Sequence, residues 1–257
     1  MDALLALMRR LRDPVTGCPW DREQTFASLL RHTLEEAYEV ADAVERENFA
    51  DLAGELGDLL FQVVFHAQIA AELGHFDFED LAMQLHAKLV RRHPHLFGGD
   101  EVTDAAAQEV AWEQVKAAER AADGRSASEL DGIPLALPAL VRAAKLQKRA
   151  SRVGFDWSSA PPVLDKVREE LGELAEAMAI GTVQDQAEEL GDLIFALVNL
   201  ARHLRIDPED AMRAANAKFE RRFRYVESAL ARSGRGPAEA NLAEMDGLWD
   251  EAKRLGM

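Results

Sequence analysis

Cysteine is all but absent. Cys18 stands alone among 257 residues, which excludes an intramolecular disulfide and any multi-cysteine zinc site and fits a reducing cytoplasm. No His-x-x-x-His pair offers zinc an alternative. Basic residues are also in deficit, 30 Lys and Arg against 46 Asp and Glu, for a net charge of −16. That field disfavours nucleic acid and anionic membrane surfaces as partners. A polyanionic substrate therefore needs a bridging divalent cation or a local cluster of Lys and Arg. Long apolar runs are missing too. The greasiest stretch, 59–71, is interrupted by Gln62, His66 and Gln68 and reads as a buried helix rather than a membrane span. The first eleven residues carry Asp2, Arg9 and Arg10 in the wrong order for a secretory signal.

Strand-like alternation between Gly or Asn turns is scarce, whereas apolar residues recur at three and four, so the class is all-α. This periodicity predicts helices at 29–46, 51–73, 78–92 and 105–122, then at 162–179, 184–204, 208–230 and 242–255. Gly74, Pro94 and Gly181 supply stops. Asp207-Pro208 suits a helix start, because Asp caps and Pro loses no hydrogen bond at the first helical position. His93-Pro94-His95 reads as a loop. The turn formers Asp123-Gly124-Arg125-Ser126, Gly132-Ile133-Pro134 and Pro138 place a boundary between two tandem domains, 1–125 and 126–257.

What the chain does contain is a carboxylate pattern written twice. Glu35, Glu36, Glu39, Glu55 and Asp58 recur as Glu169, Glu170, Glu173, Glu189 and Asp192, each pair 134 positions apart. Lys88, Arg91 and Arg92 recur as Lys218, Arg221 and Arg222 at an offset of 130, and Trp112 and Lys116 as Trp249 and Lys253 at 137. Duplication followed by loop trimming leaves such a drift. Glutamates three apart share one helix face, with Cβ atoms about 5–6 Å apart. Four acids from two helices would then converge on a hard cation.

An acidic helix face is usually only solvated, and a repeat preserves structure as faithfully as chemistry. The context favours chemistry here. Asp58 and Asp192 run directly into apolar stretches that read as buried helices, and an unpaired carboxylate in such a place is costly to desolvate. Mg²⁺, with Mn²⁺ as a substitute, is the economical partner, since it takes oxygen ligands and is shared between carboxylates and phosphates. Gly57 and Gly191, beside the acids, permit close helix contact or leave room for a ligand. A di-iron site needs a Glu-x-x-His on each of two helices. Glu72-x-x-His75 is the one evident candidate, and it ends at a helix stop. The basic face Lys218-x-x-Arg221-Arg222 has donors suited to phosphate oxygens.

Taken together, Cys18-Pro19-Trp20-Asp21, Thr33-Leu34-Glu35-Glu36-Ala37-Tyr38-Glu39, Gly54-Glu55-Leu56-Gly57-Asp58, Arg91-Arg92-His93-Pro94-His95, Asp131-Gly132-Ile133-Pro134 and Val153-Gly154-Phe155-Asp156-Trp157 resemble the MazG family of nucleoside triphosphate pyrophosphohydrolases. The resemblance covers nearly the whole chain. It implies an all-α fold of two tandem MazG-like repeats, whose acid-bearing helices form four-helix-bundle cores completed by dimerisation. It also implies an Mg²⁺-dependent, cytoplasmic hydrolase that converts a nucleoside triphosphate to monophosphate and pyrophosphate, with turnover mainly in the C-terminal copy. Carried over, the catalytic metal ligands are Glu170, Glu173, Glu189 and Asp192. The nucleotide contacts are Lys166, Glu169, Lys218, Arg222 and Trp249, to which we add Glu188, Asn216 and Arg221. The N-terminal copy retains Glu36, Glu39, Glu55, Asp58, Lys88 and Arg92 as a possible second site.

The copies differ in a way that bears on activity. Lys166 and Asn216 stand where the first copy has His32 and His86, and only the lysine is a permanent phosphate partner near pH 7. Asp185-Gln186-Ala187 lacks the lysine that some relatives carry before this acid motif, which leaves that triphosphate contact missing or replaced. The competing reading is a non-enzymatic dimeric helical regulator that binds nucleotide or protein through its acidic faces.

Overall fold

The computed structural model describes residues 1–97, 108, 112, 115, 119 and 128–257, and every regular element among them is helical. Chain contacts divide it into two compact units, 1–119 and 120–257. The expected boundary after residue 125 lies outside the described residues. So does most of the expected helix 105–122, of which positions 108, 112, 115 and 119 are helical.

In the first unit, α1 (Asp2–Leu11), α2 (Pro19–Glu23), α3 (Phe26–Glu45), α4 (Phe49–Glu72), α5 (Phe78–Arg92) and α6 (Pro94–Phe97) follow in order. Only three residues join α3 to α4, so the two helices fold back on each other as an antiparallel hairpin. Side chains give the same register: the Thr33 hydroxyl meets His66 Nε2 at 3.0 Å, and the Phe26 and His66 rings stack at 5.7 Å. The core gathers Met8 of α1, Leu29 of α3, and Val64, Phe65 and Ile69 of α4. Residues 59–71 thus lie in a helix whose second half is buried, with Gln62, Val64, Phe65, Ala67, Ile69 and Ala70 all enclosed.

The second unit holds α7 (Ala139–Arg152), α8 (Ala160–Ile180), α9 (Val183–His203), α10 (Pro208–Ala231) and α11 (Leu242–Arg254), with a 3₁₀ turn at Pro237–Glu239. α8 and α9 repeat the acid-bearing hairpin across a two-residue link, and α7 and α10 pack beside it. Asp207 accepts from the amides of Glu209 and Asp210 and opens α10, as the Asp-Pro pair predicts.

Caps fix where the acids fall. Asn48 accepts from the Asp51 amide at 3.3 Å to begin α4, and Thr182 accepts from the Asp185 amide at 3.2 Å to begin α9. Each cap stands seven residues, two helical turns, before Glu55 or Glu189.

Three differences from the sequence reading stand out. Helices α1, α2 and α7 were not foreseen, and α7 occupies a stretch close to the expected linker. His93-Pro94-His95 is not wholly a loop, because Pro94 starts one further helical turn, the position in which proline loses nothing. The apolar run after Asp192 is not enclosed within the chain: Ile194, Phe195 and Leu197 stay 43–46% exposed, since a two-helix hairpin covers only one stripe of each helix.

Candidate metal and nucleotide site

Each hairpin closes three carboxylates over one point. Ligand atoms of Glu36, Glu39 and Glu55 lie within 4.8 Å of one another, as do those of Glu170, Glu173 and Glu189. Glu170 is the most buried of these acids, 6% exposed. Four converging acids were expected per copy, but the aspartate falls outside each close trio. Asp58 and Asp192 sit one turn beyond Glu55 and Glu189, where they add charge rather than a fourth atom at that spacing. Asp58 helps to push up the Glu36 and Glu55 carboxyls, and Asp192 lines a cavity with Lys166 and Glu170.

The electrostatics record the crowding. Partial burial, then the charges of Asp58, Glu39 and Glu55, raise the Glu36 carboxyl above the ordinary range. Glu55 is raised by desolvation and then by Glu39 and Asp58. In the second copy Glu173 is raised by desolvation and then by its hydrogen bond to Glu170 and that group's charge. Oxygen-rich clusters whose members repel one another fit a divalent cation, which relieves the repulsion that water alone leaves. A Cβ built on Gly57 or Gly191 meets nothing within 4 Å. Neither glycine is therefore required for close helix contact, and space remains beside the acids.

The expected cationic partner of the second cluster is present. Lys166 Nζ lies 2.6 Å from Glu169 and 2.8 Å from Glu170, and these two acids hold its ammonium well above the usual lysine range. At the equivalent place in the first copy, His32 Nδ1 lies 3.5 Å from Glu35.

Other predicted contacts lie elsewhere. Glu188 is exposed and accepts from Gln184 Nε2 at 2.8 Å. Asn216, Lys218 and Arg221 are exposed on α10. The Arg222 guanidinium sits over the Trp249 ring, 5.6 Å from its centroid, and donates to the Met257 carbonyl at 2.8 Å; Trp249 also packs on Phe219 at 5.2 Å. None of these six lines the cavity beside Glu170. In the first copy Lys88 is exposed on α5, and Arg92 is tied to Glu119 at 2.5 Å. Glu72 pairs with Arg12 at 2.6 Å, so it serves the fold of the first unit and not a di-iron centre.

Sequence reasoning named Phe155, Asp156 and Trp157 without giving them a role. They line that cavity together with Gln147, Asn199 and Arg202. Their signal was Gly154, which takes φ +85 where a side chain is strained. The turn it makes ends α7 by pairing the Phe155 amide with the Ala150 carbonyl and the Gly154 amide with the Ser151 carbonyl, a Schellman arrangement.

Two helical hairpins, each bringing three glutamate carboxylates close enough together to hold one metal ion, define an all-α class of protein. The model of the MazG nucleotide pyrophosphohydrolase domain matches residues 24–97 and 162–226, which contain both hairpins. The chain belongs to that family. It is 53% identical over 257 residues to the nucleoside triphosphate pyrophosphohydrolase of Escherichia coli (strain K12), covering 99% of this chain and 97% of the relative. It is 42% identical to the nucleoside triphosphate pyrophosphohydrolase/pyrophosphatase MazG of Thermotoga maritima, covering 98% and 95%. To the nucleoside triphosphate pyrophosphohydrolase of Mycobacterium tuberculosis it is 34% identical, over 93% of this chain and 61% of that protein.

Proposed function

We propose that this chain is a nucleoside triphosphate pyrophosphohydrolase, cleaving NTPs or dNTPs at the α-phosphate to the monophosphate and pyrophosphate with Mg²⁺, or Mn²⁺ in its place. The observation that carries the reading is the cluster of Glu170, Glu173 and Glu189 with Lys166 beside it, set in a chain 53% identical to a relative of that name. Three acids with one permanent cation suit a metal and a phosphate together.

In this reading Glu170, Glu173 and Glu189, with Asp192 one turn on, would hold the cation, which when bound would supply neutralisation of phosphate charge and a more acidic water. Lys166 is already held charged and orients the substrate's phosphates. Glu173 or Glu189, whichever carboxylate is not fully used in holding the cation, would take the proton from the attacking water. Lys218, Arg221 and Arg222 offset charge building on the departing pyrophosphate, with Trp249 steadying Arg222 from beneath. Asn216, Glu169 and Glu188 complete the nucleotide-contact set.

The C-terminal domain is the main catalytic one, and the cluster of Glu36, Glu39, Glu55 and Asp58, with Lys88 and Arg92, is a secondary site. Two copies associate, so that two hairpins make each four-helix core. Among the described residues no helix is long and apolar enough to cross a membrane. The reading includes the cytoplasm, where nucleoside triphosphates are held, and no nucleic-acid partner. The test is to incubate a panel of NTPs and dNTPs with Mg²⁺ and resolve the products by chromatography. Monophosphate plus pyrophosphate is expected. Diphosphate plus phosphate overturns the reading, and binding without turnover points to the regulator.

A further inference from the structure

Arg222 and Arg92 occupy the same place in the two repeats, yet they are held by different partners. In the first repeat a carboxylate closes on the guanidinium: Glu119 Oε2 accepts from Arg92 Nε at 3.1 Å and from its terminal nitrogen at 2.5 Å. Glu119 Oε1 takes Arg91 Nε at 2.7 Å as well. That edge of Arg92 is spent on the fold. In the second repeat Arg222 gives only its Nε, to the Met257 main-chain oxygen at 2.8 Å, while the guanidinium lies over the Trp249 ring. Among the described residues no acidic side chain pairs with it, and its two terminal nitrogens stay open.

One position accounts for the difference. The offset of 137 that carries Trp112 onto Trp249 and Lys116 onto Lys253 also carries Glu119 onto Gly256. Gly256 takes φ +78 and ends α11: its amide donates to the Lys253 carbonyl at 3.0 Å, and the Met257 amide donates to the Ala252 carbonyl at 3.1 Å. These are the two bonds of a Schellman turn. The turn swings the Met257 oxygen onto Arg222, where a continuing helix would place a side chain as the first repeat places Glu119. A Cβ built on Gly256 meets nothing within 4 Å. Backbone conformation, and not crowding, is what favours glycine there.

We propose that Gly256 is a positioning residue for Arg222: it anchors the guanidinium through Nε alone and keeps an acid from closing on it, which leaves the terminal nitrogens as a fork for pyrophosphate oxygens. The inference rests on the pyrophosphohydrolase reading, in which Arg222 meets the departing pyrophosphate, and adds to it the residue that keeps this arginine free.

The experiment puts the first repeat's acid into the second, comparing Gly256→Glu with Gly256→Gln in the full chain. Both carry the same backbone strain, so only charge separates them. Relative to the Gln variant, the Glu variant is expected to lower kcat/KM for pyrophosphate release from ATP about tenfold and to raise the inhibition constant of pyrophosphate by about as much. The inhibition constant of AMP, which lacks the pyrophosphate group, stays the same in both. Equal constants in the two variants overturn the assignment while leaving the pyrophosphohydrolase reading intact. So does a parallel rise for AMP, which would mean a general disturbance of the site. Absence of pyrophosphate from every triphosphate overturns both. Should the longer side chains upset the turn, Gly256→Asp against Gly256→Asn carries the same comparison, because those two tolerate a left-handed backbone. Equal pyrophosphate inhibition in that pair overturns the assignment.

Discussion

Lys166 places its ammonium 2.8 Å from Glu170, while His32, its counterpart in the first repeat, turns to Glu35 at 3.5 Å. One substitution thus separates two otherwise matching acid frames. Glu170 can be buried because a permanent charge sits beside it. Glu36 is pushed toward its protonated form by partial burial and then by the charges of Asp58, Glu39 and Glu55.

The first prediction follows from this asymmetry. Glu170→Gln or Asp192→Asn should lower kcat/KM by about 100-fold or more, since each removes charge at the site of phosphate chemistry. Circular dichroism should show helicity intact. Glu36→Gln should retain at least about half of the activity if turnover belongs to the C-terminal copy. Equal losses at Glu36 and Glu170 would refute that division, and full activity in Glu170→Gln would refute the site.

Lys166 supports a second prediction, on pH. Its two acid neighbours raise the ammonium above the ordinary lysine value, so it stays charged through the whole working range. In Lys166→His the charge is lost as pH rises through about 6.5 to 7. The variant should be about tenfold less active at pH 8 than at pH 6 relative to the wild type at the same two values. A pH profile of kcat/KM parallel to that of the wild type would show that Lys166 does not meet the substrate as a cation.

How much of this was legible in the chain can be judged at these same residues. The hairpins were, because Glu36, Glu39 and Glu55 obey helix spacing and apolar residues recur at three and four. Ten of the described residues, Asp2–Leu11, form a helix that the sequence reading had examined only as a possible leader. The cavity beside Glu170 was not legible. Gln147 lies some twenty residues from the acids in sequence and meets them only because α7 packs on α9, a contact that no local pattern encodes. The Trp249 pairing with Arg222 was equally hidden, since an aromatic near a helix end reads the same whether it meets a base or a guanidinium.

A third prediction concerns acid stability in the first unit. Arg92 and then Arg91 hold the Glu119 carboxyl down to about 2 from 4.5. Its folded-state value is lower than its unfolded one, so the unfolded chain binds the extra proton between them. The contribution is therefore complete above pH 4.5 and is lost as pH falls toward 2. Glu119 is partly exposed, and screening limits the effect to about 1 kcal/mol. Urea unfolding should show Glu119→Gln less stable than the wild type by about that much at pH 7, with the gap closing near pH 2. A gap that persists in acid would mean packing, and not charge, was lost.

The last prediction concerns the faces that the hairpin leaves bare. Leu164, Leu171 and Met178 follow one another at seven-residue spacing on α8 and are 38%, 57% and 69% exposed. Leu190, Ile194 and Leu197 form a matching stripe on α9 at 47%, 43% and 46%. Stripes at this spacing are the seam by which helices pack, and a second hairpin laid against them would make four helices from two copies. If they were simply wet, Leu171→Glu would change stability by less than about 0.5 kcal/mol and leave the mass in solution unaltered. If they are an interface, light scattering should give twice the 28.4 kDa chain mass for the wild type and a monomer for Leu171→Glu. Activity should fall with the dimer, because the acids stand on the helices that the seam aligns. A monomeric wild type with full turnover would sink the four-helix assembly.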